Sequence, residues 1–249
     1  PASAQGNYPN KPIRWLVGYV PGGTTDILAR LIGQYLSEKI GQQFIIENKA
    51  GAGNNLAVEA VIAAPADGYT VLLVNPANGI NATLYKKLSF NFIRDIAPVG
   101  GILRVPNVMV VNNDVPAKTV KEFIDYAKVN PGKVNMASSG NGTSVHLSGE
   151  LFMAMTGVKM AHVPYRGSNP ALTDIMGGQV QVLFDNMPSS IELIRSGKIR
   201  ALAVTTEQRA PYFPNVPTVD ETVKGYEASA WFGMGVKAGT PPEIIAFLN

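Results

Sequence analysis

The feature that most constrains this chain is a recurring order of apolar strand, glycine-rich turn and amphipathic helix. Residues 13–19 form an apolar run, and the turn at 21–26 leads into a run with helical apolar spacing that ends at Ile40. The same order continues in the ranges 44–47, 51–53, 55–63 and 70–74. Strands that alternate with helices are typical of a mostly parallel sheet with helices on both faces, so we predict an α/β fold.

A second series of strands and helices begins near Pro106. Its predicted strands are 108–111, 134–137, 159–163, 180–184 and 199–204. Its predicted helices are 120–128, 145–155, 170–176 and 189–195. The apolar run at 241–248 predicts the start of one more helix, and we expect further packing beyond it.

The length of 249 residues favours two lobes, because domains most often contain about 100 to 150 residues. Prolines and turn residues cluster near 103–106 and 217–225, where we expect the chain to cross between lobes. We therefore predict that lobe 1 comprises residues 1–104 and 220–249, that lobe 2 comprises residues 105–219, and that a ligand cleft lies between them.

Composition excludes several classes of function. Cysteine is absent, so disulfides, thiolate nucleophiles and cysteine-based zinc sites are excluded. The net charge of +3 is spread along the chain without a block of Lys and Arg, which argues against a nucleic-acid partner. No apolar run approaches the ~20 residues that cross a bilayer. Residues 1–5 resemble the stretch that flanks a signal-peptide cleavage site, so we expect a mature, exported protein.

Two glycine turns open predicted helices, one in each lobe. The first comprises Val20, Pro21, Gly22, Gly23, Thr24 and Thr25. The second comprises Ser138, Ser139, Gly140, Asn141, Gly142 and Thr143. Unpaired N–H groups and the partial positive charge at a helix N terminus suit an anion. Short strand-to-helix loops also need such residues merely as caps, but two turns at the carboxyl ends of predicted strands favour a ligand site.

Motifs for nucleotide binding, metal binding and nucleophilic catalysis are missing. The glycine turns at 51–56 and 140–145 lack the third glycine of a dinucleotide fingerprint, and no Gly-x-Ser-x-Gly elbow occurs. His146 and His162 lack the spacing of metal ligands and are interpreted as structural. We therefore predict no metal and no cofactor.

An enzyme is the alternative from another class. An α/β enzyme acting on a carboxylate would use Asp26, His146 and Asp185 as its acid and base groups. Asp26, however, lies three residues after Gly23 and is expected to cap its own helix. Arg166 follows a predicted strand and could form a fork with a carboxylate, although an exposed surface arginine is the simpler interpretation.

Short motifs rich in glycine, proline and polar residues run in order along nearly the whole chain. They include Pro21-Gly22-Gly23, Glu47-Asn48-Lys49-Ala50-Gly51-Ala52-Gly53, Asp67-Gly68-Tyr69-Thr70, His162-Val163-Pro164-Tyr165-Arg166-Gly167 and Arg200-Ala201-Leu202-Ala203-Val204-Thr205. In this order they resemble the Bug family, the extracytoplasmic binding receptors of tripartite tricarboxylate transporters. That family is typically exported, with its signal peptide removed, and is longer at its C terminus.

The resemblance implies a periplasmic, two-lobe binding protein of the Venus-flytrap type that is not an enzyme. Ligand carboxylates would be held by backbone amides, hydroxyls and water from the two turns, with Asn75, Asn78 and Asp185 as secondary candidates. The implied partners are a small carboxylate and the membrane subunits of the transporter, with the receptor itself a monomer. The ligand varies within the family among amino acids, citrate-like acids and aromatic or aliphatic dicarboxylates. A ligand sensor for a signalling partner is a third possibility.

Overall fold

A computed structural model describes residues 8–249, which divide into two compact units. Unit 1 contains residues 8–21, 25–103 and 231–249, and unit 2 contains residues 22–24 and 104–230. The sequence prediction assigned residues 22–24, 104 and 220–230 to the other lobe. They pack in unit 2, where Tyr226 is fully buried and its hydroxyl donates to the Ser148 carbonyl at 2.8 Å.

Nine strands and nine α-helices make up the described residues. The strands are β1 (Ile13–Val17), β2 (Phe44–Asn48), β3 (Thr70–Val74), β4 (Ile96–Val111), β5 (Asn135–Ser138), β6 (Ala161–Pro164), β7 (Val182–Asn186), β8 (Arg200–Val204) and β9 (Ser229–Lys237). The helices are α1 (Thr24–Ile40), α2 (Asn55–Ala63), α3 (Ala77–Leu84), α4 (Phe92–Asp95), α5 (Val120–Val129), α6 (Ser144–Thr156), α7 (Ser168–Met176), α8 (Met187–Arg195) and α9 (Pro242–Leu248).

In unit 1 the strands follow the order β2-β1-β3-β9. β1 pairs in parallel with both β2 and β3, while β3 pairs antiparallel with β9. All five residues of β3 are buried, as expected for an interior strand covered on both faces. Because β1 and β3 run parallel, the segments that follow Val17 and Val74 leave the sheet at the same edge.

In unit 2 the order is β8-β4-β7-β5-β6. β5 pairs in parallel with β6 and β7, while β4 is antiparallel to β7 and β8. The carboxyl ends of β5, β6 and β7 therefore lie at one edge. Residues of β4 alternate between two hydrophobic clusters: Met109 packs with Phe152 on one face, and Val110 packs with Ile175 on the other. This alternation is the two-residue period of a strand buried on both sides.

The predicted elements agree with most of the structure. Helix α2 and strand β3 have the predicted bounds, and α5 and α8 differ by one or two residues at one end. Four elements were not predicted: helices α3 and α4, strand β9, and the first part of β4 from Ile96 to Asn107. Of the seven strand pairs named above, four are parallel and three antiparallel, as in the mixed, mostly parallel sheet of an α/β protein.

Phe152 on α6 offers a test of the unit 2 core. Its side chain is fully buried, and its ring centroid lies 6.1 Å from that of Phe123 and 5.4 Å from that of Phe184. Phe152→Ala should lower the free energy of unfolding by about 3–5 kcal/mol, because it leaves a cavity among aromatic rings. Met155→Ala, on the same helix but 39% exposed, is the control. Urea unfolding curves measure both, and equal losses of stability would contradict this packing.

Candidate functional site

The turn between β1 and α1 is tied to the end of β2 by Asn48. The Asn48 Nδ2 donates to the Tyr19 carbonyl at 3.0 Å and to Asp26 Oδ1 at 2.9 Å. Arg30 Nε donates to Asp26 Oδ2 at 2.9 Å. Asp26 is buried, so its carboxylate fixes the start of α1 to the neighbouring strand. The spacing within the sequence did not predict this connection.

A second group of polar residues in unit 1 surrounds the end of β3. We call Asn54, Asn75, Asn78 and Asn81 the asparagine cluster; each is at most 4% exposed. Asn75 Oδ1 accepts from the Ala77 N–H at 3.0 Å, and Asn78 Oδ1 accepts from the Asn75 N–H at 2.9 Å. Asn75 and Asn78, predicted from the sequence as secondary ligand residues, are therefore brought together at this edge of the sheet.

Four amide atoms of the asparagine cluster have no hydrogen-bond partner among residues 8–249. They are Asn75 Nδ2, Asn78 Nδ2, Asn54 Oδ1 and Asn81 Oδ1. A buried polar atom without a partner costs about 1–3 kcal/mol, and folded proteins seldom leave several together. The two amide nitrogens are therefore candidate donors to the oxygen atoms of a bound molecule.

The turn after β5 is shaped by glycine and closed by a helix cap. Gly140 and Gly142 have φ angles of 128° and 78°, which favour glycine. Thr143 is the N-cap of α6: its Oγ1 accepts from the His146 N–H at 3.2 Å and donates to the Gly140 carbonyl at 2.8 Å. The Thr143 hydroxyl is therefore engaged within the turn.

Some backbone donors of this turn are also engaged. The Gly140 N–H donates to Ser138 Oγ at 3.1 Å, and the Gly142 N–H donates to His146 Nδ1 at 3.2 Å. The N–H groups of Ser139 and Asn141 make no hydrogen bond within residues 8–249. These two amides are the donors that the turn leaves for an anion.

The two histidine rings contact this turn, His162 through Ser138 and His146 through Gly142. Their rings stack with centroids 4.0 Å apart and planes 14° apart, although sixteen positions separate His146 from His162. His162 Nε2 lies 2.6 Å from Ser138 Oγ, and His146 Nε2 lies 3.3 Å from Glu150 Oε1. Burial lowers the pKa of both rings, and burial together with the neighbouring His146 ring lowers the pKa of His162 to about 4. Both rings are neutral at pH 7, as the acceptor role of His146 Nδ1 requires.

Asp185, at the end of β7, accepts hydrogen bonds from serine hydroxyl groups on two helices. Its carboxylate accepts from Ser168 on α7 at 2.6 Å and from Ser189 and Ser190 on α8 at 2.6 and 2.7 Å. Burial raises the pKa of Asp185, and the three hydroxyl donors oppose that effect. The side chain is fully buried. Its oxygens therefore position the first turns of α7 and α8, and any effect on a ligand would act through these serines.

Other residues considered from the sequence have simpler surroundings. Arg166 is exposed and forms no ion pair with residues 8–249. Within that range no group of His, Asp and Glu side chains has the arrangement of a metal site. None of the helices described there combines the length and apolar character needed to cross a membrane.

Several known proteins are similar to this chain in sequence and in structure. Residues 28–249 match the TctC family model, described as the tripartite tricarboxylate transporter family receptor. The structure of the R. palustris protein Rpa4515 with adipate is 41% identical, with a TM-score of 0.95 over 97% of this chain and 82% of that one. The periplasmic binding protein BugD is 34% identical, with a TM-score of 0.93 over 97% and 81% of the two chains.

A further solved relative also contains a carboxylate. MatC from Rhodopseudomonas palustris, with bound malate, is 31% identical, with a TM-score of 0.92 over 97% of this chain and 83% of that one. These similarities confirm the predicted family and the α/β periplasmic-binding-protein fold. They also confirm that the chain is a solute-binding receptor and not an enzyme.

The histidine pair predicts a dependence of stability on pH. The pKa values of His146 and His162 are lower in the folded protein than in the unfolded chain, so the unfolded state takes up protons first as pH falls. The free energy of unfolding should therefore decrease as the pH is lowered from about 6.5 to about 4. Protonation would remove the Nδ1 acceptor of His146 and place positive charge on two rings 4.0 Å apart.

Urea unfolding of the parent and of His162→Gln, at about pH 7.5 and about pH 4.5, measures this effect. Glutamine keeps a polar group near the Ser138 hydroxyl but does not titrate. The surface carboxylates are the same in both proteins, so their contribution cancels in the difference. The variant should lose less stability on acidification, and equal losses would show that the pair does not couple stability to pH.

Proposed function

Because the chain belongs to the tripartite tricarboxylate transporter receptor family, we propose that it is a periplasmic receptor that binds a small carboxylate. It would deliver this ligand to the membrane subunits of a tripartite tricarboxylate-type transporter. Relatives with adipate and with malate favour an aliphatic dicarboxylate as the ligand. We expect the receptor to act as a monomer.

The observation that carries the proposal is a set of unpartnered donors at the carboxyl ends of strands in both units. Unit 1 provides the amide nitrogens of Asn75 and Asn78, and unit 2 provides the N–H groups of Ser139 and Asn141. Four hydrogen bonds to a charged acceptor, at about 1.5–3 kcal/mol each, give on the order of 6–12 kcal/mol. After the cost of association, a binding free energy of about −8 kcal/mol is attainable, which corresponds to a micromolar dissociation constant.

We propose that residues of the turns at 20–25 and at 138–143 contribute to the ligand site. In the turn at 138–143 the residues other than Ser139 and Asn141 contribute shape, because their donors are engaged within the protein. Asp185 contributes indirectly, through the hydroxyls that it holds.

Ligand class is tested by thermal unfolding with a panel of small molecules that includes adipate, malate, citrate and amino acids. At a hundredfold excess over its dissociation constant, a ligand adds about 2.7 kcal/mol of stability. For a chain of this size the melting temperature should rise by roughly 5–10 °C. Neutral sugars and amines are the controls. A shift with sugars or amines but not with any carboxylate would contradict the proposal.

The donor role of Asn75 is tested by Asn75→Asp. Aspartate keeps the oxygen that accepts from the Ala77 N–H, but it replaces the free NH2 with a second, negatively charged oxygen. Carboxylate affinity should fall by roughly 10-fold to more than 100-fold, because a charge-assisted hydrogen bond is lost and repulsion is added. Asn215→Asp, at an exposed position, introduces the same charge as the control. Titration calorimetry that gave equal dissociation constants for parent and Asn75→Asp would exclude this donor.

A further inference from the structure

Asn54 stands at the N-cap position of α2 but does not cap that helix. Its φ and ψ angles are 81° and −8°, in the left-handed region, and its side chain makes no hydrogen bond to the start of the helix. Asparagine at this position normally accepts a hydrogen bond from the first turn. Here the Asn54 Nδ2 instead donates to Asn78 Oδ1 at 3.2 Å. The residue is fully buried, so this contact is protected from water.

A close approach of the chain at Gly18 makes room for this side chain. A Cβ atom at Gly18 would lie 1.8 Å from Asn54 Oδ1 and 2.7 Å from Asn54 Cα. Any residue other than glycine would therefore displace Asn54, because Cβ contacts shorter than 3.0 Å do not occur without a shift of the neighbour. Gly18 directly follows β1, whose end lies at the edge where Asn75 and Asn78 follow β3.

The hydrogen bond from Asn54 determines how the Asn78 amide is oriented. Asn78 Oδ1 accepts from both the Asn75 N–H and Asn54 Nδ2, so both of its donors require an oxygen at that position. The Asn78 Nδ2 then points away from these donors and has no partner among residues 8–249. Rotating the Asn78 amide by 180° would turn its NH2 group toward the two donors, the Asn75 N–H and Asn54 Nδ2. Asn54 therefore helps to keep a nitrogen, and not an oxygen, available.

We propose that Asn54 is a positioning residue for carboxylate binding, acting through Asn78, and that Gly18 is required to accommodate it. The proposal rests on the function proposed above, because it assumes that Asn78 Nδ2 donates to the ligand. Asn54 itself does not contact the ligand. Without the Asn54 donor only the Asn75 N–H still requires an oxygen at that position, so Asn78 is rotated in a larger fraction of the molecules. A rotated Asn78 presents a carbonyl oxygen that repels a carboxylate.

The first test is Asn54→Gly, which deletes the side chain but keeps the left-handed backbone that glycine adopts readily. Its dissociation constant for the carboxylate that binds the parent should rise by about tenfold or more. Asn55→Ala is the matched control: it removes the acceptor of Asn81 Nδ2 in the same segment without touching Asn78. It should lower stability while its dissociation constant stays within about twofold of the parent value.

The second test is the pH profile of Asn54→Asp. An ionised aspartate cannot donate to Asn78 Oδ1, whereas the protonated carboxyl group can. The ratio of its dissociation constant to that of the parent should be large near neutral pH and should fall as the pH is lowered. The same ratio for Asn54→Gly should not depend on pH. A flat ratio for Asn54→Asp would overturn the positioning role, since a merely structural residue would not follow the titration of its own carboxyl group.

The third test separates folding from recognition. Gly18→Ala alone should lower the melting temperature strongly, because the new methyl group overlaps Asn54. The double variant Gly18→Ala/Asn54→Gly should recover only the part of that stability lost to the side-chain overlap, because the new methyl group still lies 2.7 Å from the Cα atom of residue 54, and it should keep the raised dissociation constant of Asn54→Gly. A parent protein that binds no carboxylate would overturn the proposed function, and this inference with it. A parent that binds while Asn54→Gly binds equally well would overturn this inference alone.

Discussion

Parallel strand pairing is the constraint on which the rest of this structure depends. Parallel neighbours end at the same edge of a sheet, so strand pairing alone places the segments that follow them side by side. In unit 1 this brings the residues after β1 and β3 together, and in unit 2 it does the same for β5, β6 and β7. Every residue proposed to bind or position the ligand lies at one of these two edges.

Each edge is then stiffened by buried polar groups that bind one another. In unit 1 these are asparagine amides, and in unit 2 they are a histidine stack and the hydroxyls around Asp185. Such networks are costly unless each member has a partner, and for that reason they hold a single geometry. The asparagine cluster is the exception, because the side-chain nitrogens of Asn75 and Asn78 and the side-chain oxygens of Asn54 and Asn81 have no partner among residues 8–249. The two unpaired nitrogens are the groups that we propose donate to the ligand.

The sequence predicted the fold class and most element positions because strand and helix periods are strong where apolar residues recur regularly. Helix α3 was missed since its sequence contains Asn78-Gly79, a pair typical of turns. Strand β9 was missed because Gly233 and Gly235 interrupt its apolar run; a Cβ at either would approach other atoms to 2.8 Å. In both elements a tertiary contact outweighed the local preference. The glycine-rich spacing predicted the two turns, and the family resemblance added Asn75 and Asn78 as candidates, but long-range pairs such as His146 with His162 leave no local signal.

The chemistry of these donors bears on how a transport receptor has to behave. A buried arginine or lysine would bind a carboxylate strongly, but in the empty receptor its charge would lose hydration without compensation, at a cost of several kcal/mol. Neutral amides and backbone N–H groups avoid that cost, because an empty site leaves only uncharged donors to be solvated. Their hydrogen bonds to a carboxylate still benefit from the ligand's own charge. Affinity then depends on how well the donors are oriented before the ligand binds. A residue that holds an amide in place, as proposed for Asn54, therefore affects the dissociation constant without touching the ligand.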